Sequence, residues 1–227
     1  MIIIPAIELR HPGHQGQGSP RQPRSTIHEW ERLGFQRVHL VEPATRGNQV
    51  PSRRLTEEFL RDIHIDVQVA GDICSAGDIE ELARAGATRV VVGSRALDEP
   101  DWAASIAAAF PDLLIVETPV HERPVRSRGA LRTLPVDIRD LADDLSDLPL
   151  GGLIVTFGPE APIEIGDLAL VEDLADRLPF PVLVSGGAQT LATLRDLEFR
   201  GVNAVIIGAA RLADSFDEPS LARTFTD

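Results

Sequence analysis

The chain has 227 residues, 43% hydrophobic and 25% charged, a composition that suits a folded domain with a sizeable core and excludes whole-chain disorder. Its formal net charge of −13 would repel a phosphate backbone, so nucleic acid is not an expected partner, although local donors can still hold a small anion. Every basic residue is Arg, and Lys and Tyr are absent, which excludes a Schiff-base lysine and a phenolic acid or base.

Taken in chain order, short aliphatic runs alternate with longer amphipathic stretches. The runs are Ile2 to Ile7 (then Glu8), Val38 to Val41 (then Glu42), Val67 to Val69 (then Ala70-Gly71) and Val90 to Val92 (then Gly93). Four more follow: Leu113 to Val116 (then Glu117), Leu153 to Val155 (then Thr156), Val182 to Val184 (then Ser185-Gly186) and Val205 to Ile207 (then Gly208). Near-continuous aliphatic runs of this length are the pattern of parallel strands buried on both faces. Between them, Asp78 to Ala85, Val136 to Leu145, Leu168 to Leu178 and Thr190 to Phe199 repeat apolar residues at three and four, the helical period. Gly86 and Gly201 stand just past two of these helices, where a left-handed cap is expected. Strand then helix, eight times in about 200–250 residues, predicts one α/β domain over 1–227, a (βα)8 TIM barrel, with an open doubly wound sheet as the structural alternative.

An internal repeat sharpens this expectation. VQVAGDICSAGDIEELARAGATRVVVGSRAL from Val67 aligns without gaps with VLVSGGAQTLATLRDLEFRGVNAVIIGAARL from Val182, placing Gly71 on Gly186, Gly86 on Gly201, Gly93 on Gly208 and Leu97 on Leu212. The offset of 115 residues is close to half the chain, which predicts two tandem (βα)4 half-barrels, about 1–110 and 111–227.

In such barrels the chemistry sits where strands end and loops begin. Glu8 and Glu117 occupy matching positions in the two halves, after the first and fifth runs. Paired carboxylates can serve as general acid and general base; the alternative is that each merely meets solvent at a strand end. Gly186-Gly187 and Gly208 are expected to present backbone N–H groups beside helix N-termini, an arrangement that holds anions, with Arg211 adding charge. Tight turns would also require those glycines. The corresponding N-half turn, Gly71 with Gly93-Ser94, carries Asp72, whose charge should weaken an anion site there.

Two polar segments are long enough to be active-site loops: Arg10 to Arg24 (RHPGHQGQGSPRQPR), a candidate lid, and His121 to Arg132 (HERPVRSRGALR), whose four Arg either clamp an anion or are solvated. His11 and His14 are a weak metal pair on an irregular loop, and no metal is expected. The lone Cys74 forms no internal disulfide and reads as a small, half-buried side chain. MIIIPAIEL meets charge too early for a signal peptide, and no apolar run approaches the roughly 18 residues of a membrane span. A cytoplasmic protein without a membrane partner is therefore expected.

The stretches IIIPAIEL, HLVEPA, VQVAGDICSAGDIEELARAGATRVVVGSRALDEPDW and VLVSGGAQTLATLRDLEFRGVNAVIIGAARL resemble the phosphoribosylformimino-5-aminoimidazole carboxamide ribotide isomerase family. The cyclase subunit of imidazole glycerol phosphate synthase belongs to the same superfamily. The resemblance runs from Met1 to about Phe216. It implies a half-barrel duplication, a substrate with two phosphates, and an aldose-to-ketose Amadori rearrangement in histidine biosynthesis that needs no cofactor. Carried over, Glu8 is the general base, Glu117 the general acid and Thr156 a helper at the opened ribose. The phosphate sites carry over to Gly71 with Gly93 and Ser94, and to Ser185, Gly186 and Gly187 with Gly208, Ala209 and Arg211. The resemblance leaves oligomeric state at monomer or small homo-oligomer.

The sequence departs from the family on the working face. Glu8, Glu42 and Glu117 stand where the family has Asp, and each reaches one methylene further. Ala70-Gly71-Asp72 replaces a triple glycine, Gly129-Ala130 a Gly-Trp, and Phe157 an Asp; the cyclase lysine is missing. A second expectation therefore stands beside isomerisation: a divergent paralogue that binds a phosphorylated metabolite, or acts on a smaller monophosphate, without the usual activity.

Overall fold

A computed structural model describes residues 1–9, 23–42, 53–120, 124–126, 133–158 and 162–226; for Ser94, 124–126 and 133–136 it describes the backbone alone. The strands are β1 (Ile2–Glu8), β2 (Arg37–Val41), β3 (Asp66–Ala70), β4 (Arg89–Val92), β5 (Leu114–Pro119), β6 (Pro124–Arg126), β7 (Thr133–Asp137), β8 (Gly152–Thr156), β9 (Val182–Ser185) and β10 (Ala204–Gly208). Eight of them hydrogen-bond as a closed ring in the order β1-β10-β9-β8-β5-β4-β3-β2, and β6 and β7 form a separate two-stranded sheet. The pairings β1–β2, β2–β3, β3–β4, β5–β8, β8–β9 and β9–β10 are all parallel. All eight aliphatic runs are barrel strands, and the open-sheet alternative is excluded by the closed ring.

The helices are α1 (Pro23–Leu33), α2 (Arg53–Leu60), α3 (Ala76–Ala85), α4 (Ser94–Asp98), α5 (Pro100–Ala109), α6 (Ile138–Leu145), α7 (Ile165–Arg177), α8 (Leu191–Phe199), α9 (Ala209–Ser215) and α10 (Glu218–Thr224). Each copy of the internal repeat folds as strand, helix, strand, helix. In each, the glycine after the first helix takes a positive φ, +117° at Gly86 and +80° at Gly201, the conformation that closes a helix C-terminus with least strain in glycine.

The chain divides into two compact units, Met1–Ile2 with Val92–Ile206, and Ile3–Val91 with Ile207–Asp227. In the second unit Trp30 of α1 is buried and its indole N–H donates to Glu218 of α10 at 3.2 Å. The strands of this unit carry a buried polar pair, His39 Nδ1 and Gln68 Nε2 at 2.7 Å, on register partners of β2 and β3. In the first unit, β5, β8 and β9 bury Leu114, Ile115, Val116, Leu153, Val155 and Val184, and α6 and α7 are tied by ion pairs. Asp173 accepts from Arg139 Nε at 2.5 Å and from Arg177 Nε at 2.8 Å.

The hydrogen bond from Arg177, then that from Arg139, holds the Asp173 carboxyl below its usual value of 3.8. A carboxylate depressed in this way stabilises the fold above its unfolded pKa and loses that contribution as pH falls through the folded one. Asp173→Asn should therefore lower the melting temperature by a few degrees at most at pH 7, because the pair is solvent-screened. The difference from wild type should shrink as pH falls below about 3.8, which melts at pH 7 and pH 3 would measure.

Two segments differ from their sequence expectation. The helix expected from Val136 begins at Ile138, because Thr133–Asp137 pairs with β6 and Asp137 caps α6, accepting from Arg139 N at 2.9 Å. The loop expected over His121 to Arg132 thus contains one strand of a short antiparallel pair; its remaining residues lie outside those described. The candidate lid also lies outside the described residues, except Pro23 and Arg24, which open α1; Pro suits a first helical turn, whose N–H has no helical partner.

Candidate active site

Glu8 is the last residue of β1 and is exposed. Leu9 follows at 1% exposure, its N–H bonded to Val41 O at 2.9 Å, so the backbone at Glu8 is held against β2. Glu117 differs from expectation. It does not end its strand, because β5 continues through Thr118 and Pro119, which pair with Val155 and Thr156 of β8. Alternation turns Thr118 away and leaves Glu117 on the same face as Pro119. The Glu117 side chain is 8% exposed and accepts from Thr156 Oγ1 at 3.0 Å. The structure thus brings together two of the three predicted catalytic residues, the acid of β5 and the hydroxyl that ends β8. Val120 N–H on Thr156 O at 2.9 Å fixes the Thr156 backbone in turn.

The turn after β9 is built by glycine. Gly186 has φ +81° and Gly187 +70°. A methyl group on Gly186 would overlap the Phe157 carbonyl. Phe157 N–H also bonds Ser185 O at 2.8 Å, so β8's end and the turn are in close contact. Gly187 is buried and Ser185 half-buried. The turn does not open α8 directly: Thr190 caps that helix, its Oγ1 accepting from Thr193 N at 3.1 Å. Gly208 stands differently. It is exposed, its φ is −61°, it precedes α9 directly, and nothing lies within 4 Å of where its Cβ would be. Ala209 and Arg211 follow on α9, both half-buried. Gly93 likewise has open space at its Cβ position and precedes α4.

Gly71 has a packing reason of its own. A Cβ there would stand 2.7 Å from Glu42 Cβ and 2.9 Å from Glu42 Oε2. Glu42, just past β2, is 3% exposed. It accepts from Thr56 Oγ1 at 2.6 Å and Arg53 Nη1 at 2.7 Å. Burial pushes its carboxyl above the usual range, outweighing the Thr56 hydroxyl and the Arg53 guanidinium. Arg53 Nη2 also reaches Asp78 Oδ1 at 3.2 Å. Sequence reasoning missed Arg53, Thr56 and Asp78: Arg53 and Thr56 reach Glu42 from one helix, α2, across the β2–α2 connection, and Asp78 joins from α3 only through Arg53, so the spacing around Glu42 itself signals none of them. Cys74, expected half-buried, is exposed; it lies in the turn between β3 and α3, and its thiol donates to Asp72 Oδ1 at 3.3 Å. Among the described residues no group of three or more His, Cys, Asp or Glu is arranged to hold a metal ion; His11 and His14 lie outside them.

A family model described as histidine biosynthesis protein matches residues 3–217. A relative from Gemmatimonas aurantiaca is 36% identical over 235 residues, covering 99% of each chain. One from Myxococcus xanthus is 31% identical over 236 residues, again covering 99% of each. One from Synechocystis is 29% identical over 224 residues, 92% of this chain and 88% of its own. All three are named 1-(5-phosphoribosyl)-5-((5-phosphoribosylamino)methylideneamino) imidazole-4-carboxamide isomerase. With the match running across nearly every strand of the barrel, the chain belongs to the histidine biosynthesis protein family.

Proposed function

We propose that this chain is the isomerase its relatives are named for, opening one phosphoribosylamine of an imidazole-4-carboxamide that carries two phosphoribosyl groups and converting it from aldose to ketose. The observation that carries the reading is the likeness to isomerases of that name over 99% of both chains. The divergent-paralogue expectation finds no support among these relatives.

The reaction is a sequence of proton transfers, so acids and bases suffice for it. Glu117 donates a proton to the ribose ring oxygen as the bond from that oxygen to C1 breaks. The nitrogen lone pair forms the C1=N bond, leaving an open-chain iminium. Glu8 takes the C2 proton, and the electron pair moves to give the enaminol. Loss of the hydroxyl proton and protonation at C1 complete the ketose. Thr156, donating to Glu117 at 3.0 Å, orients that carboxyl and stands beside the opened sugar. A carboxyl that gives and a carboxylate that takes a proton each contribute about 10²- to 10⁴-fold. Gly71, Gly93, Ser94, Ser185, Gly186, Gly187, Gly208, Ala209 and Arg211 supply backbone and side-chain donors to the phosphates. The duplication of a (βα)4 half is the evolutionary reading that the repeat supports. The protein works in the cytoplasm as a monomer or small homo-oligomer on a phosphorylated small molecule, without nucleic acid. Among the described residues no helix is long and apolar enough to cross a membrane.

Expression in a histidine auxotroph that lacks this isomerase should restore growth without histidine. Failure to grow, with soluble protein present in the cells, would remove the proposed activity.

A further inference from the structure

Arg53 joins two acids that belong to different turns. One guanidinium nitrogen meets Glu42 at 2.7 Å and the other meets Asp78 at 3.2 Å. A planar fork suits such bridging, since its two ends are fixed relative to each other. Glu42 directly follows β2, and its backbone N–H bonds Ala70 O at 2.7 Å at the end of β3. Asp78 lies at the start of α3. Its Oδ2 accepts from Cys74 N at 3.0 Å, Ser75 N at 2.8 Å and Ser75 Oγ at 2.8 Å, and Ser75 Oγ accepts in return from Asp78 N at 3.2 Å. The β3–α3 turn is therefore gripped at both ends: by Glu42 lying against Gly71, and by Asp78 holding the amides of Cys74 and Ser75. Arg53 connects the two grips.

A surface ion pair would be worth little here, but this one is not on the surface. The side chains of Arg53 and Glu42 are 12% and 2% exposed. Burial alone would push the Asp78 carboxyl up, yet the hydrogen bonds from Ser75 and Cys74 and the charge of Arg53 bring it below its usual value. Buried charges are retained when every partner is in place, and removing one leaves the rest uncompensated.

We propose that Glu42, Arg53 and Asp78 are positioning residues for the isomerisation, a bridge that sets the β3–α3 turn from Gly71 to Ser75 for one phosphorylated end of the substrate without touching the reacting atoms. This rests on the isomerase reading for its substrate, and on the geometry alone for the bridge.

The test is Arg53→Met, which keeps the aliphatic stem and removes the fork, read by amide hydrogen exchange and by steady-state kinetics of the full chain. Exchange at Cys74 and Ser75 should quicken by about tenfold, the effect of weakening a charge-assisted hydrogen bond. KM should rise by about tenfold with kcat within about twofold, as for loss of binding that is uniform between ground and transition states. Asp78→Asn, which keeps an acceptor for the two amides but loses the ionic partner, should move both readouts the same way and stands in if Arg53→Met fails to fold. Unchanged exchange at Cys74 and Ser75 overturns the bridge. Faster exchange with unchanged KM, or with kcat falling instead, shows a merely structural tie and overturns its role toward substrate. A wild-type protein that shows no turnover overturns the isomerase reading, while exchange still decides the bridge.

Discussion

Glu117→Gln is expected to lower kcat by about 10²- to 10⁴-fold, the usual loss when a general acid or base is removed. The fold should survive, because the amide oxygen can still accept from Thr156 Oγ1, which stands 3.0 Å from Glu117 Oε1. The amide cannot give up a proton at neutral pH, so ring opening loses its acid. Glu8→Gln should have a similar effect on kcat, and its stability should move less, since that side chain is exposed. Thr156→Val is the graded control. It keeps the shape and loses the hydroxyl that orients Glu117, and kcat should fall by less than in Glu117→Gln. Steady-state rates with thermal melts on the three variants would check this. Full activity in either glutamine variant, with the protein folded, would remove that carboxylate from the mechanism.

Gly186→Ala is expected to destabilise the protein by roughly 3 kcal/mol or more, combining the cost of a left-handed backbone in a residue with a Cβ with a steric overlap. The φ of Gly186 is +81°, and the added methyl would collide with the carbonyl of Phe157. That carbonyl is main chain at the end of a barrel strand and cannot swing aside as a side-chain tip can. Gly208→Ala is the contrasting variant. Its φ of −61° suits any residue, and open space surrounds the new methyl. Stability should change little there, while KM should rise if the backbone at Gly208 lies against a phosphate. Denaturant melts of both variants, with KM for the second, separate the glycine that builds the turn from the glycine proposed to meet ligand.

The barrel was legible in the sequence because its strands are covered on both faces. Val90, Val91 and Val92, or Leu153, Ile154 and Val155, are almost wholly buried, and such a strand, apolar on both sides, has no polar alternation to blur the run. The helix ends were legible for a local reason too. Gly86 and Gly201 take the positive φ expected of a left-handed cap, and a cap is decided within one turn of chain. Reading failed where composition is polar, as in the strand pair β6 and β7. It also misplaced the end of β5, since an ionisable residue inside a strand looks like the residue that stops it.

The sequence by itself determined the ring of parallel strands, the glycine turns, and the placing of Glu8, Glu117 and Thr156 at or near strand ends. Those depend on local period, burial and backbone freedom, which are written in neighbouring residues. Only the tertiary structure decided which partner each acid would have. Glu117 takes the hydroxyl of Thr156, 39 residues on, and Glu42 takes Arg53 and Thr56, at separations of 11 and 14. It also decided that Gly71 must be glycine, because the Glu42 side chain lies against it. Charges and hydroxyls pair with whatever the folded chain brings within about 3 Å, and no repeat along the sequence encodes which residue that will be.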